Sequence, residues 1–119
     1  MKKSIIILFL ILSFGSKVFS MSFNEAAQQN KLIVLYLYLT TCGACRSFEP
    51  IYSAIEAEFS SKYNFVKEIA QESALATKLR VDSVPAVYII NPQANTAARI
   101  KSECIFDRAC FEATLQSYR

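Results

Sequence analysis

The chain has 119 residues, with 13 basic and 10 acidic side chains and no histidine. That length supports one domain with one modest core. The missing histidine excludes a Ser–His or Cys–His catalytic pair and any zinc site built on imidazole. Lys2, Lys3 and Lys17 supply the whole excess of positive charge. The rest of the chain is balanced, so neither nucleic acid nor an anionic membrane surface is expected as a partner.

Residues 1–20 read as a secretory signal. Lys2 and Lys3 form a positive start, Ile5–Phe14 is an apolar run broken only by Ser13, and Val18 and Ser20 fit a cleavage site after Ser20. The apolar run is about half of the ~20 residues a spanning helix needs. Cleavage is therefore the expectation, with an uncleaved anchor or a start at Met21 as the other readings. The mature chain, residues 21–119, is then expected to be periplasmic or secreted, and to touch a membrane only through an uncleaved signal.

Ser22-Phe-Asn-Glu25 has the pattern of a capping box and predicts a short helix to about Asn30. Leu32–Leu39 is uniformly apolar and rich in strand formers, which predicts a strand buried on both faces. From Cys42 to about Lys62, Phe48, Ile51, Tyr52, Ile55 and Phe59 recur at helical spacing. A strand over Tyr63–Ile69, a helix over Glu72–Leu79, a strand over Val84–Ile90 and a turn at Asn91–Asn95 follow. Thr96–Ser102 is a fourth strand, and Asp107 caps a last helix. Helices alternating with strands predict an α/β layer architecture.

Cys42 and Cys45 stand where the first strand hands over to the long helix. Residues three apart on a helix share a face, close to the separation a disulfide needs. With Cys42 at the N-cap, free N–H groups and the positive end of the helix dipole favour its thiolate, so its pKa is expected to be depressed. Cys45, a turn inside, is expected to be buried and less reactive. Pro50 either kinks this helix by removing the bond to the Arg46 carbonyl, or begins a new helix. Arg46 adds positive charge just past the pair. Most aromatic residues, Tyr36, Tyr38 and Tyr88 among them, read as core, and Lys78–Arg80 as a solvated helix end.

Cys42-Gly-Ala-Cys45 after an apolar strand, Pro50 five residues on, and Val84-Pro85 before a late strand resemble the thioredoxin superfamily. The resemblance runs from Ser22 to the C-terminus. Asn24-Glu-Ala-Ala and Cys42–Glu49 are similar to exported members such as the C-terminal domain of the thiol–disulfide interchange protein DsbD. The resemblance implies a thioredoxin fold, a mostly four-stranded mixed sheet flanked by helices. It implies a cis bond before Pro85, with Pro85 facing Cys42 and Cys45 as catalytic residues, and Thr41 and Val84 beside the substrate groove. It also shows departures. Thr41 replaces the family's Trp, Ala44 its Pro, and Tyr36 the buried Asp that accepts the proton of the second cysteine. Glu49, four residues after Cys45, is the candidate replacement, against the plainer reading of a solvated carboxylate.

An exported chain meets an oxidising compartment, so Cys104 and Cys110, on either side of the Asp107 cap, are expected to form a structural disulfide rather than remain thiols. Their five-residue gap is longer than usual zinc spacings, so no metal is expected. The function expected is an exported thiol–disulfide oxidoreductase, monomeric, without a cofactor, acting on protein substrates with an unidentified redox partner and leaning to reductase or carrier. The alternative is a thioredoxin-fold binding module or chaperone subunit whose cysteine pair is structural or binds Cu(I). Exposure of Cys42 separates the two.

Overall fold

The computed structural model describes residues 21–118, and the signal expected over residues 1–20 lies outside them. The chain opens with α1 (Phe23–Ala27). Ser22 Oγ accepts the Glu25 N–H at 3.2 Å and Glu25 Oε1 accepts the Ser22 N–H at 3.2 Å, the reciprocal pairing that the sequence pattern calls for. The helix stops before the expected Asn30, because Gln28, Gln29 and Asn30 offer no apolar side chain to bury.

Strand β1 (Ile33–Tyr38) lies at the centre. It pairs in parallel with β2 (Asn64–Ile69) and antiparallel with β3 (Ala86–Asn91), and β4 (Thr96–Arg99) adds antiparallel to β3. The sheet order is β2-β1-β3-β4, the mixed four-stranded sheet that the resemblance implied. Val34 and Tyr36 face one side, against Phe48, Tyr52 and Ile55 of α2 (Gly43–Phe59) and Phe111 and Leu115 of α5 (Arg108–Gln116). Ile33, Leu35 and Leu37 face the other, against Ala26 of α1 and Ala76 of α3 (Ala74–Lys78). Burial on both faces accounts for the uninterrupted apolar run.

Several boundaries differ from expectation, each for a local reason. Helix α2 runs through Pro50 without a break, which sets aside the idea that Pro50 begins a new helix. It ends at Phe59, not Lys62, because the Phe59 carbonyl accepts the N–H groups of both Lys62 and Tyr63 at 3.0 Å and turns the chain into β2. Residues Ala70–Glu72 form a 3₁₀ turn, and Ser73 then caps α3 through the N–H groups of Leu75 and Ala76. Strand β3 begins at Ala86, after Pro85, which has no N–H for the ladder. Strand β4 stops at Arg99, and Ser102–Ile105 forms α4, a helix the sequence pattern did not indicate. Asp107 caps α5 as expected, accepting from Ala109 and Cys110 at 3.1 and 3.3 Å.

Cys104 and Cys110 are joined by a disulfide, with Cα atoms 5.2 Å apart. With Thr96–Ser102 read as a strand, the bond would fasten the last helix to that strand. It fastens α5 to α4 instead, because Cys104 is itself helical. It closes a very short loop, so in the chain-entropy account its stabilisation is at most about 2–3 kcal/mol. Cys104→Ser with Cys110→Ser should therefore lower the melting temperature without preventing folding. Calorimetry of the double variant checks this. A loss well above that range would assign the bond a larger share in the α4–α5 packing.

Candidate redox site

Four residues, Leu39 to Cys42, separate β1 from α2, and the last of them, Cys42, is the α2 N-cap. Its N–H donates to the Leu39 carbonyl at 3.3 Å, which tightens the turn. Cys42 and Cys45 are joined as a disulfide with Cα atoms 5.2 Å apart. The Cys45 N–H donates to Cys42 Sγ at 3.0 Å. One of the orphan amides of the helix start is thus aimed at the sulfur that would carry charge after reduction. Cys42 is partly exposed, while Cys45 is only 1% exposed. This is the asymmetry expected from their places on the helix.

The Val84–Pro85 bond is cis. Pro85 is buried, Val84 is partly exposed, and the Val84 carbonyl oxygen lies 3.9 Å from Cys42 Sγ. Thr41 is exposed at the turn before the pair. The structure thus brings Cys42, Cys45 and Val84 together at the end of the sheet where β1 hands over to α2. Among the described residues, no three Cys, Asp or Glu side chains cluster as metal ligands.

Glu49 is not a free solvated carboxylate. Its Oε2 accepts the Tyr36 hydroxyl at 3.0 Å, and its Oε1 pairs with Lys67 Nζ at 2.9 Å. The same Tyr36 hydroxyl reaches the Cys45 carbonyl oxygen at 3.3 Å. Tyr36 was expected to be plain core. Its ring is core, packed on Phe48 and Tyr52, but its hydroxyl links the backbone of the buried cysteine to a carboxylate. Burial, followed by the hydrogen bond to Glu49, holds the Tyr36 hydroxyl well above its ordinary pKa, so it remains a donor. Lys67 also lies over the Tyr38 ring, 4.9 Å from its centroid. Sequence reasoning missed Lys67. The available signal was its position two residues from Phe65, which puts a cation on the apolar, α2-facing side of β2.

The fold and this disulfide define a class: an α/β domain that presents a two-residue-spaced cysteine pair at a helix start. The thioredoxin family model matches residues 16–107, and the chain belongs to the thioredoxin family. Thioredoxin H2 of Arabidopsis thaliana is 29% identical over 82 residues, 67% of this chain and 61% of that protein. A thioredoxin-like protein of Synechocystis is 30% identical over 65 residues, 54% of this chain and 60% of that one. The chain thus spans about three fifths of the length of these relatives. Among solved structures, the germline-specific thioredoxin Deadhead of Drosophila melanogaster superposes with a TM-score of 0.67 at 24% identity, covering 86% of this chain and 100% of that one. Thioredoxin NaTrxh of Nicotiana alata gives 0.65 at 23% identity, covering 82% and 81%. At these identities the superpositions bear on the fold, and the fold is the thioredoxin fold.

Glu56, two turns after Glu49 on α2, is the second carboxylate near Lys67. Burial raises its pKa, and the Lys67 charge only partly offsets this. A raised carboxylate pKa means the folded state holds the proton more tightly than the unfolded chain. The stability it contributes is full below the ordinary value of 4.5 and is lost as the pH rises through the folded value. At neutral pH the ionised Glu56 is then a net cost. Glu56→Gln should raise the melting temperature at pH 7, and the gap should close below about pH 4. Thermal melts of both proteins across that range test it. An equal or lower melting temperature for the variant at pH 7 would contradict the sign.

Proposed function

We propose that this protein is an exported thiol–disulfide oxidoreductase that acts on protein substrates and works as a reductase or electron carrier. The observation that carries the proposal is the asymmetry of the pair. Cys42 is reachable at the helix start with an amide aimed at its sulfur, and Cys45 is buried behind it. Reach alone does not separate the two readings, since Cys110 of the second disulfide is also exposed; what favours exchange is that Cys42 is the α2 N-cap, with the Cys45 amide aimed at its sulfur and the Val84 carbonyl oxygen 3.9 Å away. The signal-like residues 1–20 support export, and the second disulfide is consistent with an oxidising compartment.

In the reduced protein, the Cys42 thiolate attacks one sulfur of a substrate disulfide. The Cys42–substrate bond forms, the substrate S–S bond breaks, and the other substrate sulfur leaves as a thiolate. Cys45 then loses its proton and attacks Cys42 Sγ. The mixed disulfide breaks, the second substrate thiolate leaves, and two electrons have passed to the substrate. A partner dithiol returns two electrons through the same steps in reverse. No cofactor enters. Glu49 is the acceptor for the Cys45 proton, held in place by Tyr36 and Lys67. Val84 and Thr41 flank the path of the substrate segment, with Pro85 beneath it. Gly43 and Ala44 bring no polar side chain to the Cys42 thiolate, which favours a reductase over a strong oxidant.

Cys42→Ser should abolish exchange, and Cys45→Ser should accumulate mixed disulfides with substrates, visible on non-reducing gels of the exported fraction. Equal trapping by both variants, or by neither, would refute the assigned roles. Glu49→Gln should leave formation of the mixed disulfide intact and slow its resolution several-fold near neutral pH. Rapid-quench kinetics separate the two steps. An unchanged resolution rate would remove Glu49 from the mechanism.

A further inference from the structure

A cavity of about 460 Å³ opens beside the redox pair. Leu39, Ala76 and Val81 supply its apolar part, and Arg80, Asp82 and Val84 stand among its remaining lining residues. Val84 belongs to both places: it lines the cavity, and its carbonyl oxygen is 3.9 Å from Cys42 Sγ. A substrate segment whose sulfur meets Cys42 therefore passes this cavity within a residue or two.

Arg80 is the unusual residue of the set. The Arg80 N–H donates to the Thr77 carbonyl at 3.1 Å and the Val81 N–H to the Ala76 carbonyl at 2.9 Å, closing α3 in a Schellman motif. The position after the C-cap takes the left-handed conformation and is usually glycine. Here it is an arginine with φ of 57°. A side chain with a Cβ is unfavourable there, so the arginine is present despite a backbone preference against it. Among the described residues its guanidinium has no ion-pair partner. The cavity's own carboxylate, Asp82, is paired with Arg99 at 3.3 Å. The charge left over is positive, and exposed Arg46, one turn after Cys42, adds to it.

We propose that this cavity selects disulfide substrates carrying an aspartate or glutamate one or two residues from the reacting cysteine, and that Arg80 is the group that recognises the carboxylate. The proposal rests on the disulfide-exchange reading above and names its preferred substrate class. A guanidinium presents paired N–H donors that match a carboxylate, and a partly exposed ion pair of this kind changes rates by a modest factor. Arg80 is a specificity-determining residue; the chemistry stays with Cys42 and Cys45.

The test uses two disulfide-bonded peptides that differ only in Glu or Gln two residues from the cysteine, each reduced in a single turnover by the pre-reduced protein. The glutamate peptide should react about 2–5-fold faster at low salt. The ratio should fall to about 1 near 1 M salt, where charges are screened within a few ångströms. It should also fall to about 1 in Arg80→Gln. Arg80→Gly should likewise lose the preference, yet melt about 4–8 °C higher as the backbone cost is relieved. A ratio near 1 in the unaltered protein, or a ratio that Arg80→Gln leaves intact, overturns the proposal while disulfide exchange stands. A lower melting temperature for Arg80→Gly overturns the claim that the arginine is held against backbone preference. If the unaltered protein reduces neither peptide, the exchange reading fails and this proposal falls with it.

Discussion

Residues Ile33 to Leu37 are shut off from solvent on both faces, and a backbone in that position has to find all its hydrogen bonds in the sheet. Strand β1 does so by pairing along both edges, with β2 on one side and β3 on the other. Much of the structure follows from that requirement. A parallel neighbour needs a crossover connection, and α2 is that crossover. The crossover must start where β1 ends, so the helix start falls at the C-terminal edge of the sheet, where open α/β sheets carry their sites. Cys42 occupies that junction. The antiparallel neighbour β3 enters from the opposite direction, so its N-terminal end, with Val84 and Pro85 just before it, arrives at the same edge.

The same pairing explains the polar cluster under the site. In the parallel register Tyr36 stands beside Lys67, and both side chains project towards α2. Helix α2 places Glu49 between them. A tyrosine hydroxyl and a lysine facing an otherwise apolar layer need partners, and one carboxylate serves both. The cluster lies under the buried cysteine because Cys45 and Glu49 are one helical turn apart, and Tyr36 reaches the backbone of the first and the side chain of the second. The carboxylate stands on the helix and is joined to the strand through the tyrosine hydroxyl.

Local chemistry made some of this readable in advance. The Ser22–Glu25 box, the Asp107 cap, the apolar run of β1 and the cysteine spacing each carry their meaning within a few residues. Lys67 and Glu49 are 18 residues apart, and their pairing is a consequence of strand register rather than of any local pattern. Helix α4 is four residues long and has no amphipathic repeat to detect; it forms because Ile105 and Cys104 are buried and because the Lys101 carbonyl accepts two N–H groups. Arg80 hid its conformation for the opposite reason. Glycine is the signal for a left-handed helix end, and here the signal is missing while the conformation is present.

The C-terminal helices complete the site from below. Phe48, one turn after Cys45, has Phe111 of α5 at a centroid distance of 6.0 Å and Phe106 at 5.7 Å. Phe106 is 40% exposed, so burial alone does not hold it against that ring. The chain on either side of it is constrained instead: α4 ends at Ile105 with Phe106 as its C-cap, Asp107 caps α5 immediately after, and the Cys104–Cys110 disulfide spans both. The family match ends at residue 107, whereas the packing continues through Leu115, which is fully buried and whose carbonyl accepts the Tyr63 hydroxyl at 2.8 Å. One disulfide therefore sits at the helix start with a partly exposed sulfur, while the other braces the aromatic layer on which the first half of α2 rests. The two pairs differ in setting more than in exposure. Cys110 is open to solvent, but its bond is backed by the α4–α5 turn rather than by a helix start aimed at a single sulfur.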